Sequence, residues 1–343
     1  MTPEAAIARV AGGESLSETE MAALMERVLD GAVTPAQLGA LLMGLRQKGE
    51  TVDELTGAAR ALRRRATAVG PIPRGTVDTC GTGGDGGRTF NVSTAAALVV
   101  AAAGVPVAKH GNRAVSSAVG SADVLEALGV VVDIPAASLG ACLETVGFVF
   151  LFAPALQPAM RHAAIPRREL GIRTLFNLLG PLASPAGVTR QLVGVFDRRW
   201  VEPMACALAR LGSERAWVVH GAGGLDEVAL DGETLVGEVE DGRVRLRTVR
   251  ADDAGLPPAP TSALCVGSVA ESAACVRDVL AGGRGPTRDV VCLNAAAAFV
   301  VAGVAPDLRA GVARAASAID AGAAAALLAR LADFTSRAAG TRA

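Results

Sequence analysis

From Thr76 onward the chain alternates short apolar runs with helical ones, and the first two apolar runs end in polar, glycine-rich loops. The strand candidates are residues 76–79, 105–109, 130–134, 148–152, 192–196 and 216–220, with helical segments between them, including about 93–103 and 122–128. This alternation predicts an α/β architecture: a mainly parallel central sheet with right-handed crossovers, flanked by helices. Residues 238–247 differ, because Asp241-Gly242 between alternating residues predicts an antiparallel hairpin. The Ala-rich part from Val290 onward reads as helix.

The first seventy residues contain no strand pattern. Ser17 with Glu20, Thr34-Pro35 with Gln37, and Thr51 with Glu54 each open an apolar stripe at helical spacing, such as Met21, Leu24, Met25 and Val28. Three short helices are expected there, and Gly70-Pro71-Ile72-Pro73 reads as a linker. The expectation is therefore a small helical domain over 1–72 and a larger α/β domain over 73–343.

Composition narrows the class. Hydrophobic residues make up 51% of the 343, with no Tyr, so the core must be built of Ala, Val and Leu. A net charge of -1 gives no basic field for nucleic acid, and no nucleic-acid partner is expected. The six cysteines form no CxxC pair, which points away from a disulfide framework and toward a reducing, cytoplasmic setting. The N-terminus lacks a signal-peptide pattern, and the apolar runs fall short of a membrane span, so no membrane partner is expected.

Three loops carry the chemistry. The run Asp78-Thr79-Cys80-Gly81-Thr82-Gly83-Gly84-Asp85-Gly86-Gly87 precedes Thr89-Phe90-Asn91-Val92-Ser93-Thr94. Glycines let backbone N–H groups approach an anion, and a helix N-terminus favours phosphate. The spacing is neither a dinucleotide fingerprint nor a Walker loop. After the next strand come Lys109-His110-Gly111-Asn112-Arg113-Ala114-Val115-Ser116-Ser117 and then Gly120-Ser121. Loops at strand C-termini share one crevice in such sheets, so both loops face one polyanion. Asp226-Glu227 follows His220 on a third Gly-rich loop; beside two phosphate-type loops, these hard oxygen donors suit Mg²⁺ better than a solvated acidic turn. A basic segment, residues 161–173, offers an arginine for a substrate carboxylate, with surface ion pairing the preferred reading for Arg168 and Arg173.

Taken in order, GTGGDG with TFNVST, KHGNRAVSS, RRELGIRTLFNLLGPL, HGAGGLDE and LNAAAA resemble the anthranilate phosphoribosyltransferases over nearly the whole chain. The resemblance implies transfer of the 5-phosphoribosyl group of phosphoribosyl pyrophosphate to the amino group of anthranilate. It also implies a homodimer and a discontinuous helical domain joined by helices from about 163–185. By motif, Gly81, Gly84, Asp85, Thr89, Asn91, Val92, Ser93 and Thr94 match phosphoribosyl pyrophosphate contacts. Lys109, His110, Gly111, Asn112, Arg113, Ala114, Val115, Ser116, Ser117 and Ser121 continue that set. Gly81, His110, Asn112 and Arg167 match anthranilate positions, with Arg167 meeting the carboxylate, and Ser93, Asp226 and Glu227 match the Mg²⁺ positions. Leu156, Gln157, Pro166 and Ser184 depart from the family pattern. Other readings are transfer to a substituted anthranilate, a pyrimidine nucleoside phosphorylase-like enzyme, and a catalytically silent paralogue that binds a nucleotide or nucleic acid as a regulator.

Overall fold

A computed structural model describes residues 1–83, 89–113 and 119–340. Four helices open the chain: α1 (Pro3–Ala11), α2 (Glu18–Leu29), α3 (Pro35–Lys48) and α4 (Val52–Arg65). The last three begin at the predicted capping boxes. The first was not expected, although Thr2 caps it and Pro3 occupies its first position, the same signal that Thr34-Pro35 gives. Thr34 Oγ1 accepts from the Gln37 amide at 3.2 Å while Gln37 Oε1 accepts from the Thr34 amide at 3.0 Å. Thr34→Ala should destabilise this helix by about 1 kcal/mol. Thermal unfolding followed by circular dichroism checks this, and an unchanged midpoint would show that the cap contributes nothing.

The sheet has seven strands: β1 (Val77–Gly81), β2 (Val107–Gly111), β3 (Phe148–Phe152), β4 (Arg190–Gly194), β5 (Arg215–His220), β6 (Thr234–Glu240) and β7 (Arg243–Val249). Their order is β3-β2-β1-β4-β5-β6-β7; the first five are parallel and the last two antiparallel. The hairpin turns at Asp241 (φ 49°) and Gly242 (φ 74°), the left-handed pair that a two-residue hairpin needs. Residues 130–134 form no strand. Val130, Val132 and Ile134 are buried, but the Val131 amide donates to Thr335 Oγ1 at 3.0 Å instead of entering a ladder.

Alternate residues of β4 and β5 feed opposite cores, as a two-residue period requires. Leu192, Trp217 and Val219 pack with α5 (Val92–Ala102) and the C-terminal helices. Val193, Ala216 and Val218 pack with the N-terminal helices and the helix Val201–Arg210. The helix Arg161–Leu170 packs on α2 and α3, and Phe176–Leu182 packs on α4 and β1. The N-terminal bundle is thereby tied to β1 through the helix Phe176–Leu182, and α4 also packs on the helix Val201–Arg210. No single helix among the described residues is long and apolar enough to cross a membrane.

Candidate active site

Strand order reverses around β1: the chain runs from β1 outward through β2 to β3, then returns to β1's other side as β4. Open sheets of this kind bind ligands in the crevice beyond the strand C-termini at such a reversal. A cavity of about 540 Å³ opens there. Its walls include Gly81, Thr89, Asn91, Val92 and Ser93 from the first loop, and Lys109, His110, Gly111, Asn112, Arg113 and Ser121 from the second. Asp226 and Glu227 line it from the third, and Arg167 from the helix Arg161–Leu170.

Close backbone approach explains the glycines. A Cβ on Gly81 would stand 2.7 Å from Asp226 Oδ2, and the Gly83 amide donates to that same oxygen at 3.0 Å. The first loop and the acidic loop are thus joined directly. Asn294, fully buried, fixes the acidic loop from behind: its Oδ1 accepts from the Val228 amide and its Nδ2 donates to the Val228 carbonyl, both at 2.9 Å. That is the structural content of the LNAAAA segment.

Asn91 opens α5 without a side-chain cap, and its own amide donates to Ser272 Oγ at 3.0 Å. Ser93 faces the cavity, whereas Thr94 is buried, outside the cavity wall, with its hydroxyl donating to Asn91 Oδ1. The Lys109 ammonium is buried and donates to the Thr79 carbonyl and, at 3.1 Å, to Ser93 Oγ. Burial lowers its pKa, opposed by the charges of Asp78, Glu227 and Asp226. Arg113 is engaged otherwise: its guanidinium pairs with Glu126 at 2.5 Å and Asp123 at 3.2 Å, and these partners raise its pKa. Gly84, Asp85, Ala114, Val115, Ser116 and Ser117 lie outside the described residues.

Arg167 forms no ion pair among the described residues; its guanidinium lies 5.3 Å from the centroid of the Phe176 ring, and burial lowers its pKa. A desolvated guanidinium on an open cavity is suited to a carboxylate. Arg173, expected in a surface ion pair, is half-buried. It donates to the Gly83 carbonyl at 2.8 Å and stacks 4.0 Å over Phe196. Sequence reasoning also passed over the cavity's apolar wall, where Phe176, Leu179, Pro181 and Met160 stand beside Arg167. The RRELGIRTLFNLLGPL motif carried most of that signal.

Asp78, Cys80 and His110 form a buried trio with one ligand-type atom each within 4.8 Å of the others. Asp78 Oδ2 lies 2.5 Å from His110 Nδ1, a short hydrogen bond. Two ligands on one zinc ion, each at about 2.0–2.2 Å in a tetrahedron, would stand farther apart than that. The Cys80 thiol is pushed up well above its ordinary pKa by burial, so it stays neutral.

Comparison with known proteins gives the same picture. Residues 74–325 match the model of the glycosyl transferase family a/b domain, and residues 4–66 that of its helical bundle domain. The anthranilate phosphoribosyltransferase of Moorella thermoacetica is 54% identical over 325 residues, 95% of this chain and 96% of that one. The crystal structure of the Thermus thermophilus enzyme is 46% identical with a TM-score of 0.91, covering 96% of this chain and 99% of that one. The Saccharomyces cerevisiae enzyme in complex with PRPP and Mg is 27% identical with a TM-score of 0.88, covering 98% of both chains. With identity of this order running through both the helical bundle and the sheet, the chain belongs to the anthranilate phosphoribosyltransferase family.

Proposed function

We propose that this chain transfers the 5-phosphoribosyl group from phosphoribosyl pyrophosphate to the amino group of anthranilate, giving N-(5-phosphoribosyl)anthranilate and pyrophosphate, a step of tryptophan biosynthesis. One observation carries the reading. A single cavity has a diphosphate-type wall (Ser93, Lys109, Asp226 and Glu227) facing a desolvated arginine, Arg167, that has no carboxylate of its own among the described residues. Pyrophosphate leaves as C1 becomes oxocarbenium-like. Lys109 and the amides opening α5 oppose the negative charge that develops on it, the kind of preorganised electrostatic contribution that is usually largest. The anthranilate amine is an aniline, unprotonated at neutral pH, so positioning by Arg167 matters more than activation by a strong base.

Mg²⁺ fits this wall. Ser93, Asp226 and Glu227 offer hard oxygens on the same cavity and no thiolate, and they would hold it. Bound there, it would neutralise diphosphate charge. The phosphoribosyl contacts on this reading are Gly81, Thr89, Asn91, Ser93 and Lys109, together with Gly84 and Asp85 of the same sequence motif; His110 and Asn112 meet the aromatic acid.

The helical unit, residues 1–72 with helices of 163–185, works as one domain against the α/β domain of 73–343. The protein is a cytoplasmic homodimer, in keeping with its unpaired cysteines. Met43 and Ile165, exposed at 40% and 50% on two helices that pack together, supply apolar surface for a second copy.

Arg167→Ala should raise KM for anthranilate about 100-fold while moving KM for phosphoribosyl pyrophosphate little, since a charge-assisted bidentate pair is worth about 3 kcal/mol. Steady-state kinetics with each substrate varied decides this; equal increases would remove Arg167 from its role. The function itself is tested by offering thymidine plus phosphate beside anthranilate plus phosphoribosyl pyrophosphate. Turnover of the second pair alone is expected, and turnover of the first alone overturns the proposal.

A further inference from the structure

The proposed reaction does not use Asp78, yet Asp78 is fully buried against the cavity-lining His110, with both carboxylate oxygens committed to that residue. Its Oδ1 accepts from the His110 amide at 3.2 Å and its Oδ2 lies 2.5 Å from His110 Nδ1. β1 and β2 are parallel neighbours, so a residue on each meets across the sheet just below the two substrate loops. His110 lines the cavity, and with Nδ1 bound to Asp78 the other ring nitrogen, Nε2, is left to the cavity side.

We propose that Asp78 is a positioning residue that fixes His110 in its Nδ1–H tautomer, so that Nε2 accepts a hydrogen bond from the amino group of the incoming aromatic acid. The inference rests on the function proposed above. An ionised carboxylate can only accept, so the proton between the two groups belongs to Nδ1 and the Nε2 lone pair is open. Accepting from an amine N–H leaves the amine's own electron pair pointing at C1. When the C1–N bond forms and the C1–O bond to pyrophosphate breaks, pyrophosphate departs with that bond's electrons. The proton shed by the amine passes to Nε2, and the imidazolium so formed lies beside the Asp78 carboxylate.

The opposite tautomer would work against the reaction. An Nε2–H would donate to the amine's lone pair and occupy the electrons required for attack. Asp78→Asn imposes that arrangement: the new amide nitrogen can only donate to Nδ1, which drives the ring proton to Nε2, while the amide oxygen can still accept from the His110 backbone.

The chain has only three histidines, His110, His162 and His220, so their ring nitrogens can be resolved by ¹⁵N NMR and His110 assigned by its loss in His110→Ala. The expected wild-type spectrum shows His110 protonated at Nδ1, and Asp78→Asn moves the proton to Nε2. That variant should lower kcat/KM for anthranilate about 100-fold, the lower end for a proton-transfer partner, and leave KM for phosphoribosyl pyrophosphate within about twofold. In a His110→Ala background, Asp78→Asn should cost clearly less than it does in the wild type, the remainder being the support that its charge gives Lys109. An Nε2-protonated His110 in active wild-type protein overturns the assignment, and this reading stands even if Asp78→Asn fails to fold. Equal loss in the His110→Ala background, or a matching rise in KM for phosphoribosyl pyrophosphate, overturns it too. Absence of phosphoribosyl transfer in the wild-type chain would instead overturn the proposed function, which separates the two failures.

Discussion

Lys109→Met is expected to lower kcat by about 10²–10³-fold, the loss typical when one preorganised electrostatic group is removed from a water-excluded site. Methionine keeps the length and apolar character of the stem, so the change isolates the ammonium. That ammonium is buried, donates to the Thr79 carbonyl and to Ser93 Oγ at 3.1 Å, and feels the charges of Asp78, Asp226 and Glu227. Its burial is unfavourable in isolation and is offset by these neighbours and, on the proposed function, by the diphosphate. Lys109→Arg should not restore activity, because a planar guanidinium cannot occupy the space of a compact ammonium held by two oxygens. Steady-state kinetics on both variants is the check; a fall below about tenfold for Lys109→Met would mean that the leaving group is stabilised elsewhere.

The second large effect comes from a glycine whose role is purely spatial. Gly194 ends β4, and a Cβ there would lie 1.6 Å from the Asp226 carbonyl oxygen and 2.5 Å from its carbonyl carbon. Both atoms are backbone, so no side-chain rotation relieves the overlap. Gly194→Ala must displace the acidic loop by well over 1 Å, and misplacement on that scale in an active site costs about 10² in rate. We expect kcat/KM to fall by at least that factor, with a lowered thermal midpoint, since the Gly83 amide loses its Asp226 partner as the loop moves. Gly39→Ala serves as the comparison: nothing lies within 4 Å of its Cβ position, and alanine there should be neutral or mildly stabilising with activity unchanged. If Gly194→Ala retained full activity, the close seam between β4 and the acidic loop would not position the site.

The legibility of this chain follows from which forces act locally. The capping boxes at Ser17, Thr34 and Thr51 and the turn at Asp241-Gly242 are short-range hydrogen-bond and φ requirements, so the helices and hairpin starting there could be read directly. The sheet's parallel half was legible from alternation. Residues 130–134 misled because alternating burial alone looks like a strand, while only a free neighbouring edge makes one; here the Val131 amide finds Thr335 instead. In the site, glycine and hydroxyl composition pointed to the two loops that line the cavity. Contacts between residues far apart in sequence were not legible: Arg173 with Gly83, Gly194 against Asp226, and Asn294 behind Val228 depend on how the sheet brings loops together. Asp78 was visible only as the start of a motif, since its partner is one strand away.

On the proposed function, one cavity brings a diphosphate-holding wall and a carboxylate-holding arginine to the same reacting carbon. The most direct measurement mixes the purified chain with anthranilate, phosphoribosyl pyrophosphate and Mg²⁺, follows the loss of anthranilate fluorescence, and quantifies pyrophosphate in the same samples. Fluorescence loss is expected only when all three are present, with one pyrophosphate released for each anthranilate consumed. Pyrophosphate released without anthranilate, or anthranilate consumed without phosphoribosyl pyrophosphate, would contradict it.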